Sequence, residues 1–184
     1  MDELAGTTIG RTFNQYAAGA RAQLLCERLV RYLDERAEAP ILLVGEAPGY
    51  RGARVSGIPF TSERQLTGTG PAEATATIVQ RVLGELDLAD DVLLWNVVPT
   101  HPGTDASNRR PTSAEVRAGT EFLRELACGR YVIPVGRIAH SVVGGEYVRH
   151  PSHGGAEAFG RGLRLLTTRA GHRAERRRKR RSVR

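Results

Sequence analysis

The sequence is poor in the residues that most often announce a function. Of 184 residues only two are cysteine, Cys26 and Cys128, and only one, Lys179, is lysine. Two thiols close at most one disulfide, so the chain is no disulfide scaffold, and alone they cannot furnish a four-thiolate metal or iron–sulfur site. They read as reduced thiols carried on helices. A body without lysine excludes the phosphate loop GxxxxGK[ST] and a lysine Schiff base, and the glycine spacing does not fit GxGxxG. No apolar run approaches the roughly 20 residues of a spanning helix, and no charged-then-apolar leader opens the chain. The expectation is a cytoplasmic monomer with no membrane, metal or cofactor. Neither an internal repeat nor a second domain is visible.

Charge is present but unevenly placed. The net charge is +7, and the segment 173–184, RAERRRKRRSVR, holds eight basic residues against Glu175. Residues 1–172 therefore balance at nineteen of each sign. This divides the chain into one neutral domain, 1–172, and a basic tail, 173–184. Such a block is expected to be disordered by self-repulsion and attracted to polyanions, with affinity that falls as salt rises.

Hydrophobic residues make up 40% of the chain, enough for a packed core. Residues 14–37 carry Ala22, Leu25, Leu29 and Leu33 near helical spacing. ILLVG (41–45) and VLLWNVV (92–98) are continuous apolar runs, the pattern of strands buried on both faces. Pro71 and Glu73 open a helix whose apolar face is Ile78, Val79, Val82, Leu83 and Leu86. Thr112, Ser113 and Glu115 read as the cap of a helix reaching about residue 128. YVIPVG (131–136) predicts a third strand, 137–143 a short helix, and 146–148 a fourth short strand. Strands alternating with helices predict an α/β fold with a mainly parallel sheet covered on both faces. Ligands of such sheets gather beyond the carboxyl ends of the strands, and here three polar loops follow strands.

The first loop, GEAPGYRGARVSGIPF (45–60), places the carboxylate of Glu46 directly after a buried strand. The second, WNVVPTHPGTDASNRRP (95–111), places Asn96 where an amide offers donor and acceptor to a planar base. Asn108, Arg109 and Arg110 follow as candidates for phosphate contact, and His101 reads as a solvated loop histidine. The third, RHPSHGG (149–155), fixes His150 in an irregular corner, where it could donate to a developing anion while Ser152 grips a phosphate.

GEAPG (45–49), GIPF (57–60), NVVP (96–99), NRRP (108–111) and HPS (150–152), in that order, together resemble the uracil-DNA glycosylase superfamily, above all its families 4 and 5. The resemblance covers about residues 41–155. It implies a three-layer α/β/α fold with a four-stranded parallel sheet. It also implies a monofunctional glycosylase that hydrolyses the N-glycosidic bond of uracil, or another deaminated base, in single- or double-stranded DNA. In that resemblance Glu46 and His150 fall on catalytic positions, Phe60 on the aromatic that stacks on uracil and Asn96 on the amide that reads its edge. Ser152 falls on the DNA-gripping turn.

The chain also departs from those families. Their four cysteine ligands are missing, with Thr100 and about Gly119 at two of the places. Family 4's second acid would fall at Gly52, and Ser62 stands where glycine is usual. Glu63 falls near an acidic position of family 5 and is the alternative second acid. Two rivals stay open at this point: a weak or inactive relative that binds single-stranded nucleic acid, and a hydrolase of free nucleosides or nucleotides.

Overall fold

In the computed structural model the described residues are 1–181, and for 170–181 only the helix backbone is described. The basic segment 173–184 thus lies outside the described residues at the level of its side chains.

Three parallel strands form the sheet, β1 (Ile41–Gly45), β2 (Val92–Asn96) and β3 (Tyr131–Pro134), in the order β2-β1-β3. Ile41 stands beside Val92 on one side and Tyr131 on the other, and Gly45 pairs with Asn96. Every residue of β1 and β2 is buried, which explains their unbroken apolar runs. Alternate side chains serve opposite faces. Leu42, Val44, Leu93 and Trp95 pack with Leu25 and Leu29 of α2 (Ala22–Glu35) and Leu123 of α6 (Ser113–Ala127). Ile41, Leu43, Leu94 and Ile133 pack with Val79, Val82 and Leu83 of α5 (Ala74–Glu85) and Phe159, Leu163 and Leu166 of α8 (Ala156–Arg181). The result is three layers, helix on sheet on helix. The remaining helices are α1 (Asp2–Gly6), α3 (Ala53–Ser56), α4 (Glu63–Thr67) and α7 (Gly136–Val143). No described helix is long and apolar enough to cross a membrane.

The fourth strand expected at 146–148 shrinks to one parallel bridge. Val148 N–H donates to Pro134 O at 3.0 Å and Gly136 N–H to Val148 O at 2.8 Å. Gly144 and Gly145, at φ +73° and +75°, turn the chain sharply just before it, and the corner at His150 follows just after, leaving no length for a ladder.

The helix expected over 14–37 begins only at Ala22, because the preceding TFNQYA segment has other work. Phe13 and His101 exchange backbone hydrogen bonds at 2.8 and 2.9 Å, and Gln15 Nε2 donates to Pro99 O at 2.9 Å. Tyr16 donates its hydroxyl to Gly57 O at 2.8 Å. Asn14 Nδ2 meets the carbonyls of Leu4 and Thr7 at 2.8 and 3.0 Å, closing the end of α1. TFNQYA is therefore a latch that ties the N-terminal segment beneath two of the loops at the sheet edge.

Candidate active site

A cavity of about 260 Å³ opens at the carboxyl edge of the sheet, lined among others by Glu46, Phe60, Glu73, Asn96, His150 and Ser152. Two of the loops arrive there directly from strands and the third from the Val148 bridge. Glu46 follows the last residue of β1, Asn96 is the last residue of β2, and His150 stands just beyond the Val148 bridge.

Phe60 and Asn96 meet over Gly45. A Cβ on Gly45 would lie 2.4 Å from Phe60 Cζ and 2.6 Å from Asn96 Oδ1, so only glycine lets ring and amide approach there. Phe60 itself has φ +52°, a left-handed conformation that a bulky residue adopts only when its surroundings enforce it. They do: Gln80 Nε2 donates to Phe60 O at 3.2 Å, and Ser56 Oγ donates to Thr61 O at 2.6 Å. Asn96 is 4% exposed, yet its amide makes no hydrogen bond among the described residues. An amide at the cavity wall without protein partners keeps its donor and acceptor free for what enters the cavity.

His150 has a defined tautomer. Its Nδ1 lies 3.2 Å from the backbone nitrogen of Ser152, which can only donate, so Nδ1 accepts and the neutral ring carries its proton on Nε2. Burial lowers the His150 pKa below its ordinary value, and the neighbouring His153 lowers it further. Gly136, at φ +81°, makes room for this corner: a Cβ there would stand 3.3 Å from that of His150.

Burial raises the Glu46 carboxyl above the usual range, and the charge of Arg110 offsets part of that rise. Arg109 also lines the cavity, but its guanidinium is held by Glu115, at 2.8 and 2.7 Å, in a two-pronged pair. Glu115 additionally accepts from the backbone of Arg11 at 3.0 Å and of Thr112 at 2.8 Å. The pair ties the NRRP segment to the start of α6, where Thr112 and Glu115 form the expected capping box. Arg110 makes no ion pair among the described residues.

Glu63 stands apart from the cavity lining. Arg21 and Arg28 bind it at 2.7 and 2.8 Å, and although burial acts to raise its pKa, their hydrogen bonds and charges outweigh burial and lower it. His101, expected in solvent, is fully buried. Its Nδ1 lies 2.7 Å from Pro48 O and its Nε2 2.8 Å from Thr104 O, which clamps the first loop to the second. Asn108 reinforces the clamp by accepting the Tyr50 N–H at 2.9 Å. The cavity also contains Glu73, whose place at the opening of α5 marked it only as a helix start.

The donor set does not fit a four-cysteine cluster. Thr100 is buried, with its hydroxyl 2.5 Å from that of Thr12, and a Cβ on Gly119 would fall 2.3 Å from Val97 O. At Gly119 α6 packs directly against the end of β2, leaving no room for a side chain. Cys26 is half-buried, with Sγ 3.2 Å from Tyr16 O, and Cys128 is exposed.

Comparison with known proteins adds three findings. The family model described as the Uracil DNA glycosylase superfamily matches residues 33–180. No curated protein matches the sequence. Among solved structures, wild-type SMUG2 from Pedobacter heparinus superposes with a TM-score of 0.65 at 14% identity, over 91% of this chain and 92% of that one. At that identity the likeness speaks for the fold.

Proposed function

The chain belongs to the uracil DNA glycosylase superfamily, and from that premise we propose that it hydrolyses the N-glycosidic bond of a deaminated base in DNA, uracil before others. The observation that carries the reading is the cavity in which Glu46, Phe60, Asn96 and His150 converge from three separate loops at the sheet edge.

The chemistry asks for these groups. A base must first leave the stack, or start single-stranded, to enter so small a cavity, and there it needs a π-face to lie on. Phe60 supplies that face. The unpartnered amide of Asn96 supplies a donor and an acceptor for the base edge. As the C1′–N bond breaks, positive charge grows on the sugar and negative charge on the base. The carboxylate of Glu46 stabilises the first and the Nε2–H of a neutral His150 the second. A neutral imidazole suits this task because it is a donor without being a strong acid. Ser152 fixes the ring from its Nδ1 side, which commits its one hydroxyl proton to His150, so its part at the cavity wall is to position the imidazole. Arg110 and the basic segment 173–184 add sequence-independent attraction to the strand. With no lysine outside that segment, the body offers no lysine for a strand-cleaving Schiff base.

The test is base release from single-stranded oligonucleotides carrying one uracil, hypoxanthine or xanthine, read as alkali-labile breaks. Release that His150→Ala abolishes is the expected result, and it names the base. Tight binding to all three strands with no release from any would replace the enzyme with a binding-only relative.

A further inference from the structure

Of the carboxylates in the cavity, Glu73 is the one no sequence motif marks. It caps α5, and its backbone N–H donates to Ser62 Oγ at 2.9 Å. A carboxylate at a helix N-terminus is favourably placed to accept from the free N–H groups of the first turn. Glu73 makes no side-chain cap bond. Its carboxylate lies instead across the turn of the first loop. A Cβ on Gly49 would fall 1.7 Å from Oε1 and one on Gly52 2.0 Å from Oε2, so the carboxylate fills the space of side chains those positions lack.

The turn beneath it does not use it. Gly52 N–H donates to Gly49 O at 3.1 Å, Arg54 N–H to the same oxygen at 3.3 Å, and Tyr50 N–H to Asn108 Oδ1. Among the described residues Glu73 has no hydrogen bond to its carboxylate and no ion pair, in contrast to Glu63 and Glu115, which are each held by arginine. Burial without compensation raises its pKa. A carboxylate withdrawn from water, idle in the fold and open to a reaction cavity retains its acceptor capacity for what enters that cavity.

Resting on the glycosylase reading above, we propose that Glu73 is a second catalytic carboxylate, which binds the attacking water and takes its proton. The water oxygen bonds to C1′ as the C1′–N bond breaks. The electron pair leaves with the base, which His150 Nε2–H holds as an anion, and the water proton passes to Glu73 and on to solvent.

The experiment compares single-turnover base release by wild type, Glu73→Gln and Glu73→Ala with their affinity for a strand carrying 2′-fluoro-deoxyuridine, which resists cleavage. Loss of a general base is expected to slow Glu73→Gln by roughly 10²-fold. Its affinity for the resistant strand should stay within about 3-fold, the mark of a group used after binding. Added formate should restore part of the rate to Glu73→Ala, since a small carboxylate can enter the vacated space. Glu73→Gln keeps the side-chain shape, so it decides the matter if Glu73→Ala melts early. A wild-type rate in Glu73→Gln, or a loss of rate matched by equal loss of affinity with no formate rescue, would overturn the proposal. Failure of the wild type to release any base would overturn the glycosylase reading itself, and this role with it.

Discussion

Ser152 holds His150 by its Nδ1: the backbone N–H approaches that nitrogen at 3.2 Å and the hydroxyl at 2.8 Å. A backbone N–H is obliged to donate, so the contact fixes the imidazole proton on Nε2, the atom left to serve the cavity. Nitrogen-15 NMR of histidine-labelled protein at pH 7 should therefore find His150 neutral with Nε2–H. Its protonation midpoint should lie below the ordinary value of 6.5, since burial and His153 both disfavour the cation. An Nδ1–H tautomer, or a midpoint at or above 6.5, would remove the basis for its role as a neutral donor.

Glu46 should set part of the acid side of the pH–rate profile. In the proposed reaction its charged form faces the sugar cation, and burial raises its pKa above 4.5. Activity should thus begin to fall, as pH is lowered, sooner than for a solvated carboxylate. Arg110 opposes that rise, so Arg110→Gln should move the midpoint to still higher pH. A midpoint unmoved by Arg110→Gln contradicts the coupling.

Gly45→Ala tests the geometry of base recognition without removing a functional group. The new methyl would crowd Phe60 and Asn96 together, at 2.4 and 2.6 Å from their nearest atoms. Displacing two positioning groups by about an ångström commonly costs on the order of 10²-fold in kcat/KM. The melting temperature should change far less than the rate. Unaltered kinetics would show that neither group needs its present place.

Acid should loosen the NRRP segment. Arg109, with the Thr112 and Arg11 backbone groups helping against burial, holds the Glu115 carboxyl at about 2 instead of 4.5. A folded-state pKa below the unfolded value gives stability that is complete above pH 4.5 and is lost as pH falls toward 2. The Arg109 side chain is 38% exposed, which discounts the pair. Glu115→Gln should accordingly cost about 2 kcal/mol at pH 7. In denaturant titrations the difference from wild type should shrink below pH 4.5 and nearly vanish near pH 2. A difference that persists undiminished at low pH would mean that charge plays no part.

The strands were legible because a strand buried on both faces has little choice of residue: ILLVG and VLLWNVV admit few other readings. The capping box at Thr112 and Glu115 was legible because its two halves lie within one helical turn. Glu46 and Asn96 could be placed at one edge because they stand at the ends of such strands, and His150 because it follows the short extended segment at 146–148, which in the structure is a single bridge. What escaped depends on distant partners. His101 is buried by carbonyls at residues 48 and 104, and TFNQYA is shaped by residues 99–101 and 57, neither readable from local pattern. Glu73 looked like a helix start because its carboxylate owes its position to the absence of side chains at Gly49 and Gly52. The helix α8 does carry a local signal, since Phe159, Leu163 and Leu166 share one face.

The most direct measurement is the single-turnover rate of uracil release from a single-stranded oligonucleotide by the wild type, Glu46→Gln and His150→Ala, prepared side by side. The expected result is release by the wild type and a loss of roughly 10²-fold or more in each variant, as removal of a group that stabilises developing charge commonly brings. Release that proceeds equally in all three would contradict the assignment of catalysis to this cavity.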